Sequence, residues 1–302
     1  MSLTPTQFAR AAAAEASHLR MLQLQRMSYH ELRRLFEGDA AQAALWIRSA
    51  AEYGVPAAQL RIGRMLLEGS GVTRDAGAAF WWFKRAADGG DAEALNMLGR
   101  CHECGWGTLP DMPRAAACYR ASALRGHDWG EYNFGNMLFD GRGVPCDLPL
   151  ALCWYLRAAV QGHGRAMNLV GRCLEQGWGC APCPADALHW YRQSAQSGYF
   201  RGQFNYAVLL AERGQGAPAA DWFCKAAQSG DAEIRRAIAA VLCASADPAL
   251  LRVGAQVTAQ IDQRTGEPRQ AANDCCRCHT DATLALDECA LDDVVAGFAD
   301  VR

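Results

Sequence analysis

The chain of 302 residues has almost no net charge: 30 Lys and Arg stand against 32 Asp and Glu, leaving −2. Phosphate binding calls for a basic stripe and a high pI, so nucleic acid is not an expected partner. No apolar run approaches the roughly 20 residues that cross a bilayer, so no membrane span is expected. Met1 to Met27 carries polar residues every few positions and lacks the apolar core of a secretory signal, so a cytoplasmic location is expected. Catalytic groupings are missing too. The histidines stand singly, as His18, His30, His102, His127, His163, His189 and His279. No glycine-rich stretch is followed by Lys-Ser or Lys-Thr, as a phosphate loop requires. An enzyme is therefore not expected.

What the chain does have is periodic punctuation. Gly-x-Gly occurs at Gly69-Ser70-Gly71, Gly105-Trp106-Gly107, Gly141-Arg142-Gly143 and Gly177-Trp178-Gly179, a constant step of 36, with Gly214-Gln215-Gly216 following after 37. A period between 20 and 50 residues means that one supersecondary unit is stacked on itself. A small residue precedes each copy (Gly63, Gly99, Gly135, Gly171, Ala207), and an aromatic-rich pair follows it, as in Trp82-Phe83, Cys118-Tyr119, Trp154-Tyr155, Trp190-Tyr191 and Trp222-Phe223. Apolar spacings of three and four predict two helices per copy. In the second copy helix A runs from about Glu93 to Glu103 and helix B from about Arg114 to Arg125. The first Gly of each Gly-x-Gly suits a left-handed cap of helix A, and Gly90, Gly126, Gly162, Gly198 and Gly230 suit the same role after helix B. A mid-helix Gly costs roughly 1 kcal/mol against Ala, so Gly63, Gly99, Gly135 and Gly171 predict a close approach of helix B's backbone. A degenerate zeroth copy is expected upstream, with Met21 to Phe36 as its helix A, and Asp231 to Leu242 is expected to cap the other end.

These residues resemble Sel1-like repeats: Gly-x-Gly-Val (Gly71-Val72, Gly143-Val144), an Asp beside the loop (Asp75, Asp147), and Ala-x-x-Trp-x-x-x-Ala-Ala on helix B. The family is an α-solenoid relative of tetratricopeptide repeats. The resemblance implies an all-α, right-handed solenoid of about five to six 36-residue helix pairs with capping helices. Residues 1–39 would be the N-terminal helical cap, 40–244 the solenoid with its C-terminal cap helix, and 245–302 a Cys-containing, partly flexible tail with an acidic amphipathic helix expected from Thr283 to Phe298. The implied function is a scaffold or adaptor that binds a protein or peptide in the concave groove. One branch of the family is linked with β-lactam binding or hydrolysis. That chemistry needs an acylating Ser or a metal centre, and Ser122 and Ser194 occupy helix-packing positions instead.

In such a groove helix A faces the partner. Its candidates are Arg64, Arg100, Asn136 and Arg172, with Asn96, Asn133, Asn168 and Asn205 three or four residues earlier, a turn away on the same side. Guanidinium and carboxamide groups hydrogen-bond a peptide backbone and its carboxylates, so an acidic peptide is the expected partner. The competing reading is that these groups bond the neighbouring helix.

The 14 cysteines admit several readings. A secreted, cysteine-rich branch of the family staples its repeats with disulfides, but Ala87, Ala94, Ala123, Ala159, Ala166, Ala195 and Ala227 hold those places here. Cys101-x-x-Cys104 and Cys180-x-x-Cys183 have zinc-like spacing yet sit two repeats apart. Cys101 and Cys173 read more simply as small buried residues. In the tail, Cys275, Cys278, His279 and Cys289 form a candidate zinc set, and a metal- or redox-responsive tail is the alternative function. Cys275-x-x-Cys278-His279 also matches a haem-attachment string, which requires export. A tail of exposed thiols is the simplest reading.

Overall fold

Left-handed glycines and aspartate caps cut the chain into short helices of nearly constant length. The structure, a computed structural model, describes residues 5–264 apart from 29, 32–33, 36–37 and 244. Cys275, Cys278, His279, Cys289 and the Thr283–Phe298 segment lie outside the described residues. Fourteen α-helices and no strand occur among the described residues, in two compact units divided after Arg125. The first unit holds α1 (Pro5–Leu24), α2 (Ala40–Glu52), α3 (Pro56–Glu68), α4 (Ala76–Asp88), α5 (Ala92–Cys104) and α6 (Met112–Leu124). The second holds α7 (Asp128–Asp140), α8 (Leu148–Val160), α9 (Gly164–Gln176), α10 (Pro184–Gln196), α11 (Phe200–Glu212), α12 (Gly216–Ser229), α13 (Ala232–Cys243) and α14 (Pro248–Arg264). The A-type helices are α3, α5, α7, α9 and α11. Each packs on the B-type helix that follows it.

The first four A helices end on the first glycine of their Gly-x-Gly, whereas α11 ends on Arg213, one residue before Gly214. Gly69, Gly105, Gly141 and Gly177 have φ between 67° and 78°, and their N–H groups bond the carbonyls of Met65, Cys101, Met137 and Cys173. The second glycine does something the periodicity alone does not disclose. A Cβ on Gly71 or Gly107 would come within 2.1 Å of the carbonyl oxygen of Ala40 or Ala76, and one on Gly179 within 2.5 Å of that of Leu148. The loop thus presses on the first turn of the preceding B helix. The next B helix then starts on an aspartate: Asp75, Asp111 and Asp147 each accept a bond from the backbone N–H three residues on, at 2.9 Å. Cys183 stands at that place in the fourth copy and gives no side-chain cap.

Mid-helix glycines mark where A and B meet. A Cβ on Gly63, Gly99, Gly135 or Gly171 would lie 2.5–2.7 Å from the ring of Phe83, Tyr119, Tyr155 or Tyr191. The contact is with the ring itself rather than with helix B's backbone, and it comes from the second residue of the aromatic pair. All four rings are buried.

Three other expectations are corrected. Gly230 has ψ 166° and a negative φ, so it is extended where the other closing glycines are left-handed; α13 begins at once, and Ile234 fills the space beside it. Met21 to Phe36 is not one helix. α1 ends at Leu24, and Ser28 with Glu31 forms a reciprocal capping box, Ser28 N to Glu31 Oε2 2.8 Å, that starts a new turn. Residues beyond 245 begin with α14, whose Leu250, Val253 and Val257 are buried against α12 and α13. His127 and His163, two of the isolated histidines, cap α7 and α9 by accepting a backbone N–H at Nδ1.

Two outcomes follow from these contacts. Gly135→Leu should lower the urea midpoint by the equivalent of about 3 kcal/mol, since overpacking costs roughly 1–3 kcal/mol or more. Gly141→Ala should lose only about 1–2 kcal/mol, the cost of a left-handed Cβ; equal midpoints for wild type and Gly135→Leu would overturn the ring contact. The second concerns His163, which is buried with its ring 4.5 Å from Trp129 and 4.8 Å from Tyr132. Burial pushes its pKa down to about 4, Arg165 and His127 adding to the fall and Asp128 opposing it. Between the two values the unfolded chain binds the extra proton, so stability is full above about pH 6.5 and is lost as pH falls toward 4. The loss should be on the order of 3 kcal/mol. His163→Asn keeps a capping side chain and should flatten that limb of the thermal midpoint against pH; an unchanged profile would assign the dependence elsewhere.

Candidate A-helix recognition face

On the A helices of the first unit, Arg64 from α3 is ion-paired with Glu93 from α5. Two turns further along α5, the guanidinium carbon of Arg100 lies 4.8 Å from the ring centroid of Trp106. Tyr119 reaches out from the core to donate a 2.6 Å bond to Glu103. Asn96 is buried.

The second unit repeats the arrangement on α9. Arg172 lies 5.2 Å over Trp178, Tyr191 donates to Glu175 at 2.9 Å, and buried Asn168 accepts a 2.8 Å bond from Asn205 of α11. Even the packing serine recurs, with Ser122 Oγ bonding the Ala92 carbonyl and Ser194 Oγ that of Gly164. Alternate copies thus carry one set of Asn, Arg, Glu, Trp and Tyr, a 72-residue relation hidden inside the 36-residue step. The intervening copy differs: Tyr155 donates to Asn136 at 2.9 Å, and Asn133 is half-buried.

The eight candidate residues therefore fall into different states. Asn96 and Asn168 share one register and are buried, while Asn133 and Asn205 belong to the next register and are half-buried. Asn136, Asn168 and Asn205 spend hydrogen bonds inside the protein, and Arg64 spends its charge on Glu93. Arg100 and Arg172 differ from these. Each places its guanidinium carbon over a Trp ring, a cation–π contact that restrains the side chain, and Arg100 Nη1 also donates to Met97 Sδ at 3.9 Å. Sequence reasoning passed over Trp106 and Trp178 as ligand-facing groups; their place inside the Gly-x-Gly was the available signal.

Nothing on this face has the make-up of a reaction centre. Burial pushes the Cys101 thiol up to about 12 and that of Cys173 up to about 11, so both stay protonated as core residues. Among the described residues no three His, Cys, Asp or Glu are placed to hold a metal ion. A separate groove of about 740 Å³ in the first unit is lined by Leu45, Arg48, Val72 and Arg74 at the B-type helices α2 and α4, where no candidate had been placed.

With this geometry in hand, comparison with known proteins is decisive for the family. The Sel1 repeat profile matches residues 56–91, 92–127, 130–163, 164–199 and 201–231. The chain belongs to the Sel1 repeat family. Its fold is the all-α solenoid of that family. Among solved structures it is similar to c5321, described as a protective antigen present in uropathogenic Escherichia coli strains displaying an SLR fold. The identity is 30%, with 77% of this chain and 52% of that one covered and a TM-score of 0.63. The chain thus spans about half the length of that protein. A Sel1 repeat protein from Oxalobacter formigenes is matched over 78% of this chain and 100% of its own, at 24% identity and TM-score 0.70. No curated protein matches. Sel1 repeat proteins are in general protein-interaction scaffolds. No helix among the described residues is long and apolar enough to cross a membrane.

Proposed function

We propose that the chain is a scaffold or adaptor, not an enzyme, and that it holds an acidic segment of a partner protein on its A-helix faces. The observation that carries this reading is the Arg–Trp pair at Arg100–Trp106 and again at Arg172–Trp178. A guanidinium stacked on an aromatic ring has lost much of its freedom before any ligand arrives. It therefore gives up little further entropy on binding, and its planar edge matches a carboxylate with two parallel hydrogen bonds. Within each of these two copies the Tyr–Glu bond supplies a polar neighbour to the pair. Arg64 acts as an inter-helix tie.

The test starts by identifying the partner through affinity capture and mass spectrometry, followed by a dissociation constant between purified components. The double variant Arg100→Gln, Arg172→Gln should weaken binding at least tenfold. Its thermal midpoint should fall little, because an exposed cation–π pair contributes about 0.5–1 kcal/mol. Wild-type affinity should also drop with added salt, since exposed charges are screened over about 8 Å at physiological ionic strength. An unchanged constant in the double variant would remove these arginines from recognition.

A further inference from the structure

Arg61 of α3 is a residue the repeat does not call for. The same position holds Met97, Asn133, Leu169 and Asn205 in the other copies, and Met97 is buried in the core of the first unit. The fold therefore accepts an uncharged side chain here. Arg61 nonetheless keeps only 8% of its surface exposed, and its Nε is sealed without a hydrogen-bond partner among the described residues. Such burial is expensive for a charge unless it is paired. The neighbouring charges relieve it only in part. Arg64, one turn on, adds a like charge and takes Glu93 for itself. Glu68, two turns on, lowers the cost only through space, and burial pushes its own carboxyl up, against the protein's interest in keeping it ionised.

We infer that Arg61 is a carboxylate-binding residue, which receives an Asp or Glu side chain from an acidic protein partner. Of its three nitrogens Nε is the sealed one, so the outer Nη pair is the edge left to a ligand. A carboxylate laid across that edge makes two parallel N–H···O bonds and supplies the counter-charge that burial has withheld. Glu68 at the margin disfavours a more highly charged group such as a phosphate dianion. The inference rests on the scaffold reading above, for it names a further contact on the same kind of face.

The experiment uses the full chain alone and compares thermal midpoints in sodium glutarate, sodium phosphate and sodium chloride at equal ionic strength. Wild type should melt about 2 °C or more higher in glutarate than in chloride, because a ligand that binds the native state raises its midpoint. Arg61→Met, the residue of the next repeat, should melt higher than wild type in chloride and lose the glutarate-specific rise. An equal rise in both proteins, or none in wild type, overturns the inference, and a rise confined to phosphate overturns the carboxylate assignment. Should Arg61→Met not fold, the Nε–H resonance of Arg61, assigned by its disappearance in Arg61→Lys, should move with glutarate in wild type; a resonance that stays put overturns the inference equally. No partner protein is present in these measurements. Failure here therefore leaves recognition by Arg100 and Arg172 standing, and failure of that recognition leaves a glutarate-binding Arg61 intact.

Discussion

The contact between a mid-helix glycine and an aromatic ring sets the geometry of the first four repeats. Phe83, Tyr119, Tyr155 and Tyr191 lie so close to Gly63, Gly99, Gly135 and Gly171 that a single Cβ would overlap them. The separation of helices A and B is therefore fixed by one ring thickness. With that spacing set, the Gly-x-Gly loop has one place to go. Its first glycine closes helix A, and its second lies against the previous B helix at Ala40, Ala76 or Leu148. Stacking within each unit follows from two glycine contacts rather than from a broad hydrophobic preference.

The same rings connect the core to the face proposed for partner binding. The phenol oxygens of Tyr119 and Tyr191 emerge beside Glu103 and Glu175, one turn from arginines stacked on Trp106 and Trp178. A change that shifts a ring to suit the core would therefore displace a carboxylate at the surface. The core ring and the surface carboxylate are thus joined by one hydrogen bond in each of the two copies that carry the whole set.

Burial, rather than residue type, decides what the polar and thiol groups do. Cys101 and Cys173 match the sequence reading of small core residues, and their thiols stay protonated. His163 has a imidazole's usual capacity for proton chemistry but is enclosed by Trp129 and Tyr132 and serves as a helix cap. Arg61 is the converse case, a charge retained at a place where Met97 shows that an apolar side chain fits.

Helix boundaries, the left-handed caps and the family were legible in the chain itself, because a Gly or Asp at fixed spacing acts through its own backbone and needs no distant partner. The A–B close approach was legible as a requirement, though its occupant was not: a glycine shows that space is short, and only the packed ring shows what takes it. Gly230 and the Ser28–Glu31 break were misread because their neighbours, Ile234 and the end of α1, change the local geometry. The recognition face was half visible. Arg and Asn at regular steps mark one side of the A helices, but exposure depends on neighbours far apart in sequence. Asn205 reaches back 37 residues to Asn168, and Glu93 reaches 29 residues to Arg64. Tertiary contact alone separated the groups that bond other repeats from Arg100 and Arg172, whose guanidinium groups lie over tryptophan rings.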